Sequence, residues 1–296
     1  MDNTTYRHPS AQLVRNVLGL FKLRIGIVIM ITALAGFAVT PGAGASGMQL
    51  AILAIAVLIS SASAGAFNQY VELDVDRLMQ RTRGRAFVTG ALKHSPAWLL
   101  LIGVLLALSV LAAWRATNAM AALYVFLGAF FYAVVYTVWL KRRTWLNIVV
   151  GGLAGSFSVL AGAAAANPEL GAVPLLLALV LFLWTPPHFW SLAIANQDDY
   201  AAAGIPMLPV VVGADRAAWV VFFSALALVV VSLLPAFFGS GTIYLAGAGV
   251  GGAYFLLKAW QLARAPSRKK AMDSFFASLA QLSLLLVAAM VDAWVY

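Results

Sequence analysis

Nine apolar stretches separated by short polar breaks run the length of this chain, at approximately 25–42, 48–68, 96–114, 118–140, 146–165, 172–194, 217–238, 242–261 and 275–296. A helix needs roughly 20 apolar residues to cross the hydrocarbon of a bilayer, where each backbone polar group must be satisfied within the protein. Composition agrees, with 63% hydrophobic and 10% charged residues, against about 25% charged in a soluble globule. The chain is therefore not a water-soluble domain. It is expected to be an all-α, polytopic membrane protein, with nine transmembrane helices in one bundle around a central cavity.

Charge placement sets the orientation. With the N-terminus inside, eighteen Lys and Arg fall in inside segments and only Arg115 falls outside, a strong positive-inside bias. The N-terminus is thus expected in the cytoplasm and the C-terminus outside. The net charge of +9 reflects this bias and attraction to anionic membrane lipid, and calls for no nucleic acid partner. Residues 1–24 read as a cytoplasmic, interfacial segment without a cleavable leader, and 25–296 as the intramembrane domain. Cysteine is absent, so disulfides and thiolate chemistry are excluded.

Where the second apolar stretch ends, Asn68, Glu72 and Asp76 follow one another at steps of four. On a helix these share one face. Carboxylates so close together at a membrane edge are costly unless a cation neutralises them, so the stripe reads as a metal clamp. A second acidic segment, Asp198, Asp199 and Asp215, follows the sixth stretch on the same side. Each cluster alone could be a solvated loop. Two of them mixed with Arg and Lys on one side suit Mg²⁺ and a phosphate-rich anion, because a hard cation turns carboxylate–phosphate repulsion into binding.

The string NQYVELDVDRLMQRT, from Asn68 to Thr82, resembles the first aspartate-rich motif of the UbiA-type intramembrane prenyltransferases. Its continuation through Arg85 and Gly90, with YTVWLKRRTWLNIVVGGLAG from Tyr136, WTPPHFWSLAI from Trp184 and DDYAAAGIPMLPVV from Asp198, is similar to the protohaem IX farnesyltransferase (haem O synthase) branch. That resemblance implies transfer of a farnesyl group from farnesyl diphosphate to a vinyl group of haem B with addition of water, giving haem O and diphosphate. It implies Mg²⁺ as cofactor, haem B as substrate and a haem-handling protein partner such as haem A synthase. In a bacterium the location would be the inner membrane, with the site facing the cytoplasm.

Under this resemblance Asn68, Glu72, Asp76 and Asp199 are the expected catalytic residues. The same four with Asp198 are the expected metal ligands. Arg81, Arg85, Lys141 and Arg142 lie on the acidic side and are expected to bind diphosphate, guanidinium suiting phosphate oxygens; the alternative is that they only set orientation. Asp74 is off the clamp face and should pair with a neighbouring Arg. His188 lies beside Pro186 and Pro187, which are expected to break the helix toward a cavity. It reads as a haem contact, with Trp184 and Trp190 beside it, or else as a structural brace. His8 and His94 are weaker candidates. Glycines in GGLAGS (151–156) and AGAGVGG (246–252) read as close helix packing.

The chain departs from the family pattern at Leu23, Ala86 and Phe157-Ser158, each where proline is usual, and at Asn196, where a basic diphosphate contact is usual. Two other readings stand beside haem O synthesis. One is a prenyltransferase acting on a quinone precursor or chlorophyllide. The other is a cation-binding transporter, which the clustering of acids with bases at one face disfavours.

Overall fold

The computed structural model describes residues 9–42 and 44–296, with side chains from Gln12 onward; Arg7 and His8 lie outside the described residues. All regular structure in them is helical. The chain runs through α1 (Pro9–Leu20), α2 (Leu23–Ala38), α3 (Gly47–Val71), α4 (Leu73–Leu78), α5 (Ala97–Ala116) and α6 (Ala119–Phe130). The last of these continues as π-helical turns over Phe131–Leu140. Then come α7 (Asn147–Gly151), α8 (Leu153–Ala166), α9 (Ala172–Ala195), α10 (Gln197–Ala202), α11 (Leu208–Val212), α12 (Ala214–Leu233), α13 (Thr242–Arg264) and α14 (Arg268–Val295).

Local chemistry explains several boundaries. Ser46 and Gln49 form a capping box at the start of α3, and Asn118 and Ser267 accept the backbone N–H groups that open α6 and α14. These caps satisfy donors that no preceding turn can reach.

Packing divides the helices into two groups. In the first, α2 packs on α3 and α8, α3 on α5, and α6 on α5 and α8. In the second, α9 packs on α12 and α14, and α13 fills the space between those two. Contacts of α8 with α9 and of α2 with α14 join the groups. The outward faces carry exposed Leu, Val, Phe and Trp, such as Leu100 and Leu108 on α5. Such surface suits lipid.

Among the described residues seven helices are long and apolar enough to cross a membrane, and α1 with α2, bent by 45° at their joint, makes an eighth crossing if counted as one. Nine were expected. The stretch at 242–261 does fold into a helix, α13, but four glycines together with Lys258, Gln261 and Arg264 dilute its apolar content. A second expectation is corrected at Pro186 and Pro187, through which α9 runs unbroken. Thr185 and Ser191 donate their hydroxyls to the carbonyls of Leu181 and Pro187 at 3.0 and 2.7 Å. The carbonyls that the prolines leave without a backbone donor are those of Phe182 and Leu183, and the helix continues past them.

The glycines act as spacers, as the sequence implies. A methyl at Gly252 would stand 2.8 Å from Val229 Cγ1 and one at Gly251 3.0 Å from Gln281 Cα, so α13 lies tight against α12 and α14. The tightest contact is reciprocal: Gly36 of α2 lies under the Val159 carbonyl of α8, and Gly162 of α8 under the Ala33 carbonyl of α2. Thr32 and Ser158 hydrogen-bond across that contact at 2.6 Å. Gly162→Ala would drive a methyl into backbone and is expected to destabilise by about 1–3 kcal/mol. Gly155→Ala, which meets open space in the same helix, should be neutral or mildly stabilising. Thermal unfolding of the two purified variants in detergent compares them directly.

Candidate active site

Asn68 lies in the last turn of α3, Glu72 is the single residue between α3 and α4, and Asp76 is in α4. The joint does not spoil the register, because Glu72 N–H donates to the Asn68 carbonyl at 3.0 Å and Asp76 N–H to the Glu72 carbonyl at 2.8 Å. The three side chains therefore share a face, as their spacing predicts. All three residues are only 2% exposed. Buried carboxylates need partners, and each polar group here has a separate cation. Lys141 Nζ donates to Glu72 Oε1 at 2.5 Å, Arg85 Nη1 to Asp76 Oδ2 at 2.5 Å, and Lys22 Nζ to Asn68 Oδ1 at 2.7 Å.

These cations come from three distant parts of the chain. Lys141 follows the π-helical turns, where bonds span five residues instead of four: Lys141 N–H donates to the Tyr136 carbonyl at 2.9 Å. Widening brings residues five apart onto one face. Tyr132 and Thr137 thus both reach the cluster. Asn68 Nδ2 donates to Thr137 Oγ1 at 3.1 Å, which donates to the Tyr132 carbonyl at 2.8 Å, and Lys22 Nζ donates to the Tyr132 hydroxyl at 3.2 Å. Arg85 sits in the loop after α4, which Thr82 ties down by donating to the Asp76 carbonyl at 3.0 Å.

The second acidic segment meets the first through one bond. Asp199 Oδ2 accepts the Arg81 backbone N–H at 3.2 Å, placing α10 against the loop that follows α4. Burial pushes the neighbouring Tyr200 phenol above its ordinary value, with Arg81 opposing. Asp198 is exposed. Asn196 turns back to donate to the Leu192 carbonyl at 2.8 Å, so it supplies no reach toward an anion. Asp74 faces away and makes a bidentate pair with Arg142 at 2.7 and 2.8 Å on the exposed surface. That guanidinium holds the Asp74 carboxyl below its ordinary range. Of the four basic residues expected at diphosphate, Lys141 and Arg85 reach the buried cluster, Arg81 borders it by its backbone, and Arg142 is committed to Asp74.

Among the described residues no three His, Asp or Glu side chains converge into a ready-made metal cage. Two buried carboxylates with an amide oxygen on one face nevertheless fit Mg²⁺, which takes hard oxygen ligands and is commonly held by one or two carboxylates with substrate phosphates completing its shell. Asn68, Glu72 and Asp76 would hold it, with Asp199 nearest from the second segment.

Around His188 the arrangement is a packed aromatic stack. Trp184 and Phe275 lie on the imidazole at 4.0 and 4.4 Å between ring centroids. Its Nδ1 pairs with Ser278 Oγ at 2.7 Å, and Trp184 Nε1 donates to the Ser278 carbonyl at 2.9 Å. His188 and Trp184 thus bind α9 to α14, and the imidazole faces are covered. Trp190 differs: its indole N–H is buried with no acceptor among the described residues.

Residues that sequence reasoning passed over are Lys22, Gln69, Tyr132 and Thr137. Gln69 Nε2 donates to the carbonyls of Gly19 and Leu20 at 2.9 and 3.0 Å, fixing the α1–α2 joint beside Lys22. The available signal was the polar pair Asn68-Gln69 inside an apolar run.

Comparison with known proteins identifies the family and the fold. The model of the UbiA prenyltransferase family matches residues 29–285. Protoheme IX farnesyltransferase 2 of Paramagnetospirillum magneticum is 58% identical over 272 residues, covering 92% of this chain and 94% of the relative. Protoheme IX farnesyltransferase 1 of the same organism is 46% identical over 283 residues, covering 94% and 98%. A solved UbiA homologue from Archaeoglobus fulgidus, bound to DMAPP and Mg²⁺, superposes with a TM-score of 0.73 at 16% identity, over 91% of this chain and 99% of that one. A solved structure concerned with digeranylgeranylglyceryl phosphate synthase superposes at 0.78 with 18% identity, over 96% and 100%. With the family model and relatives of this identity spanning nearly the whole sequence, the chain belongs to the UbiA prenyltransferase family, in its protohaem IX farnesyltransferase branch.

Proposed function

We propose that this chain transfers the farnesyl group of farnesyl diphosphate to a vinyl carbon of haem B, water adding across the new bond to give haem O and releasing diphosphate. The observation that carries the reading is the buried set of Asn68, Glu72 and Asp76, each matched to its own cation, with Asp199 tied to the loop after α4 through the Arg81 N–H. Asn68, Glu72, Asp76 and Asp199 hold Mg²⁺, and the exposed Asp198 assists. Bound Mg²⁺ supplies electrostatic stabilisation to the departing diphosphate oxygens. Lys141 and Arg85, already at the site, would turn from carboxylate to diphosphate. Arg81 and Arg142 add positive potential at its rim. Burial makes these charges count for more than they would in water.

Haem B is assigned to the α9 side, with Trp190 as its contact through the free indole N–H, and His188 and Trp184 shaping the wall. The topology we infer has nine crossings around a central cavity, α13 included, with 25–296 as the intramembrane domain and residues 1–24 at the interface. The N-terminus and the site are assigned to the cytoplasmic side. Convergence of Lys22, Arg85, Lys141 and Asp199 at one end of the bundle supports an even number of crossings between these segments. The inner membrane of a bacterium and docking to a haem-handling protein such as haem A synthase follow from the same reading.

Purified protein given haem B, farnesyl diphosphate and Mg²⁺ is expected to yield haem O by mass spectrometry, with none formed in EDTA. Product on a phenolic acceptor and none on haem would favour a quinone-precursor prenyltransferase. Asp76→Asn should lower kcat/KM by about 10²-fold or more, with circular dichroism showing a folded helical protein. Trp190→Phe keeps the ring and removes the N–H. It should raise the KM for haem B several-fold, on the order of one lost hydrogen bond, and leave that for farnesyl diphosphate unchanged.

A further inference from the structure

Three cations touch the buried cluster, and two of them neutralise carboxylates. Lys22 is the exception. Its ammonium is held by the neutral Asn68 amide at 2.7 Å and the neutral Tyr132 hydroxyl at 3.2 Å, and it forms no ion pair with any described carboxylate.

The chain goes to some length to put it there. Lys22 has φ 49°, and it is the one non-glycine residue with positive φ among those described. A left-handed backbone is unfavourable for a side chain with a Cβ and recurs at functional sites. Gln69 holds the two carbonyls just before the joint. The aliphatic stem of Lys22 packs over Gly65, where an added Cβ would meet its Cδ at 3.4 Å. Backbone, stem and head are thus each fixed by a different group of α3 or of the π-helical turns.

We propose that Lys22 is a further diphosphate-binding residue of this site, parked on Asn68 and Tyr132 in the metal-free protein and turned to the substrate when a divalent cation takes the Asn68 oxygen. This rests on the prenyl-transfer reading above. One oxygen cannot serve the ammonium and a dication together, because the two cations repel. The displaced ammonium then finds its nearest unpaired anion in the diphosphate that arrives with the metal. Gln69 acts through Lys22 as a positioning residue.

The test uses Lys22→Gly, since glycine adopts positive φ without strain, and Lys22→Gln, which keeps the stem without the charge. Mn²⁺ binding is followed by electron paramagnetic resonance, first alone and then with inorganic diphosphate, and thermal unfolding is recorded for each protein. Both variants are expected to bind Mn²⁺ alone at least as tightly as the parent, and to bind diphosphate in the presence of Mn²⁺ about tenfold or more weakly, the size of a lost charge-assisted hydrogen bond. Unchanged diphosphate affinity would overturn the proposal. Weakened Mn²⁺ binding together with a lowered unfolding temperature in both variants would also overturn it, by making Lys22 a scaffold for Asn68. Failure of the parent itself to bind diphosphate with Mn²⁺ would instead bring down the prenyl-transfer reading, and this proposal with it.

Discussion

Two carboxylates buried at the end of a membrane helix bundle set the terms for everything around them. Glu72 and Asp76 are almost without exposure, and neither can remain charged in such a place without a partner. One partner is far away in sequence, Lys141 lying 69 residues from Glu72, and the other is near, Arg85 lying nine residues from Asp76. Meeting that demand requires the end of the π-helical segment and the loop after α4 to arrive at one point. Removing one partner from a buried pair costs about 3–5 kcal/mol, comparable with much of a domain's net stability. The site and the fold are thus coupled at this cluster. The ion pairs that poise the chemistry also fasten the first helical group at one end.

That coupling explains which features were legible in the sequence. Steps of four at Asn68, Glu72 and Asp76 carry through the structure because i→i+4 bonding continues across the break at Glu72. The basic residues were legible as candidates because any Lys or Arg on the acidic side of so apolar a chain is conspicuous. Their division of labour was not. Arg142 pairs with Asp74 on the surface while Lys141, one residue earlier, turns inward, and the sequence places both at the same loop. The π-helical turns were equally hidden. Over Phe131–Leu140 nearly every residue is apolar or aromatic, so no polar face marks the period, and a repeat of five cannot be told from 3.6.

Glycine and proline show the same limit from the other side. Composition identified close packing at 151–156 and 246–252, whereas the tightest approach, between Gly36 and Gly162, depends on which helices become neighbours. The proline pair in α9 looked like a break because an isolated helix would lose two backbone bonds there. Inside the bundle α9 is packed against α8, α12 and α14, and the helix continues through the pair. The crossing count falls short for a related reason. The glycines that let α13 sit tightly between α12 and α14 also lower its hydropathy, so a helix specialised for packing carries a weaker membrane signature.

Charge at the cluster points to how its components load. Glu72 and Asp76 balance Lys141 and Arg85, while Lys22 is held by the neutral Asn68 and Tyr132. Adding a dication alone would raise the positive charge further within a space of low dielectric, where each uncompensated charge is expensive. A prenyl diphosphate brings about three negative charges, and with a dication it would carry the cluster back toward neutrality. Neither component is well matched to the site without the other. Electrostatics would therefore favour entry of a dication and the donor as a pair over entry of either alone.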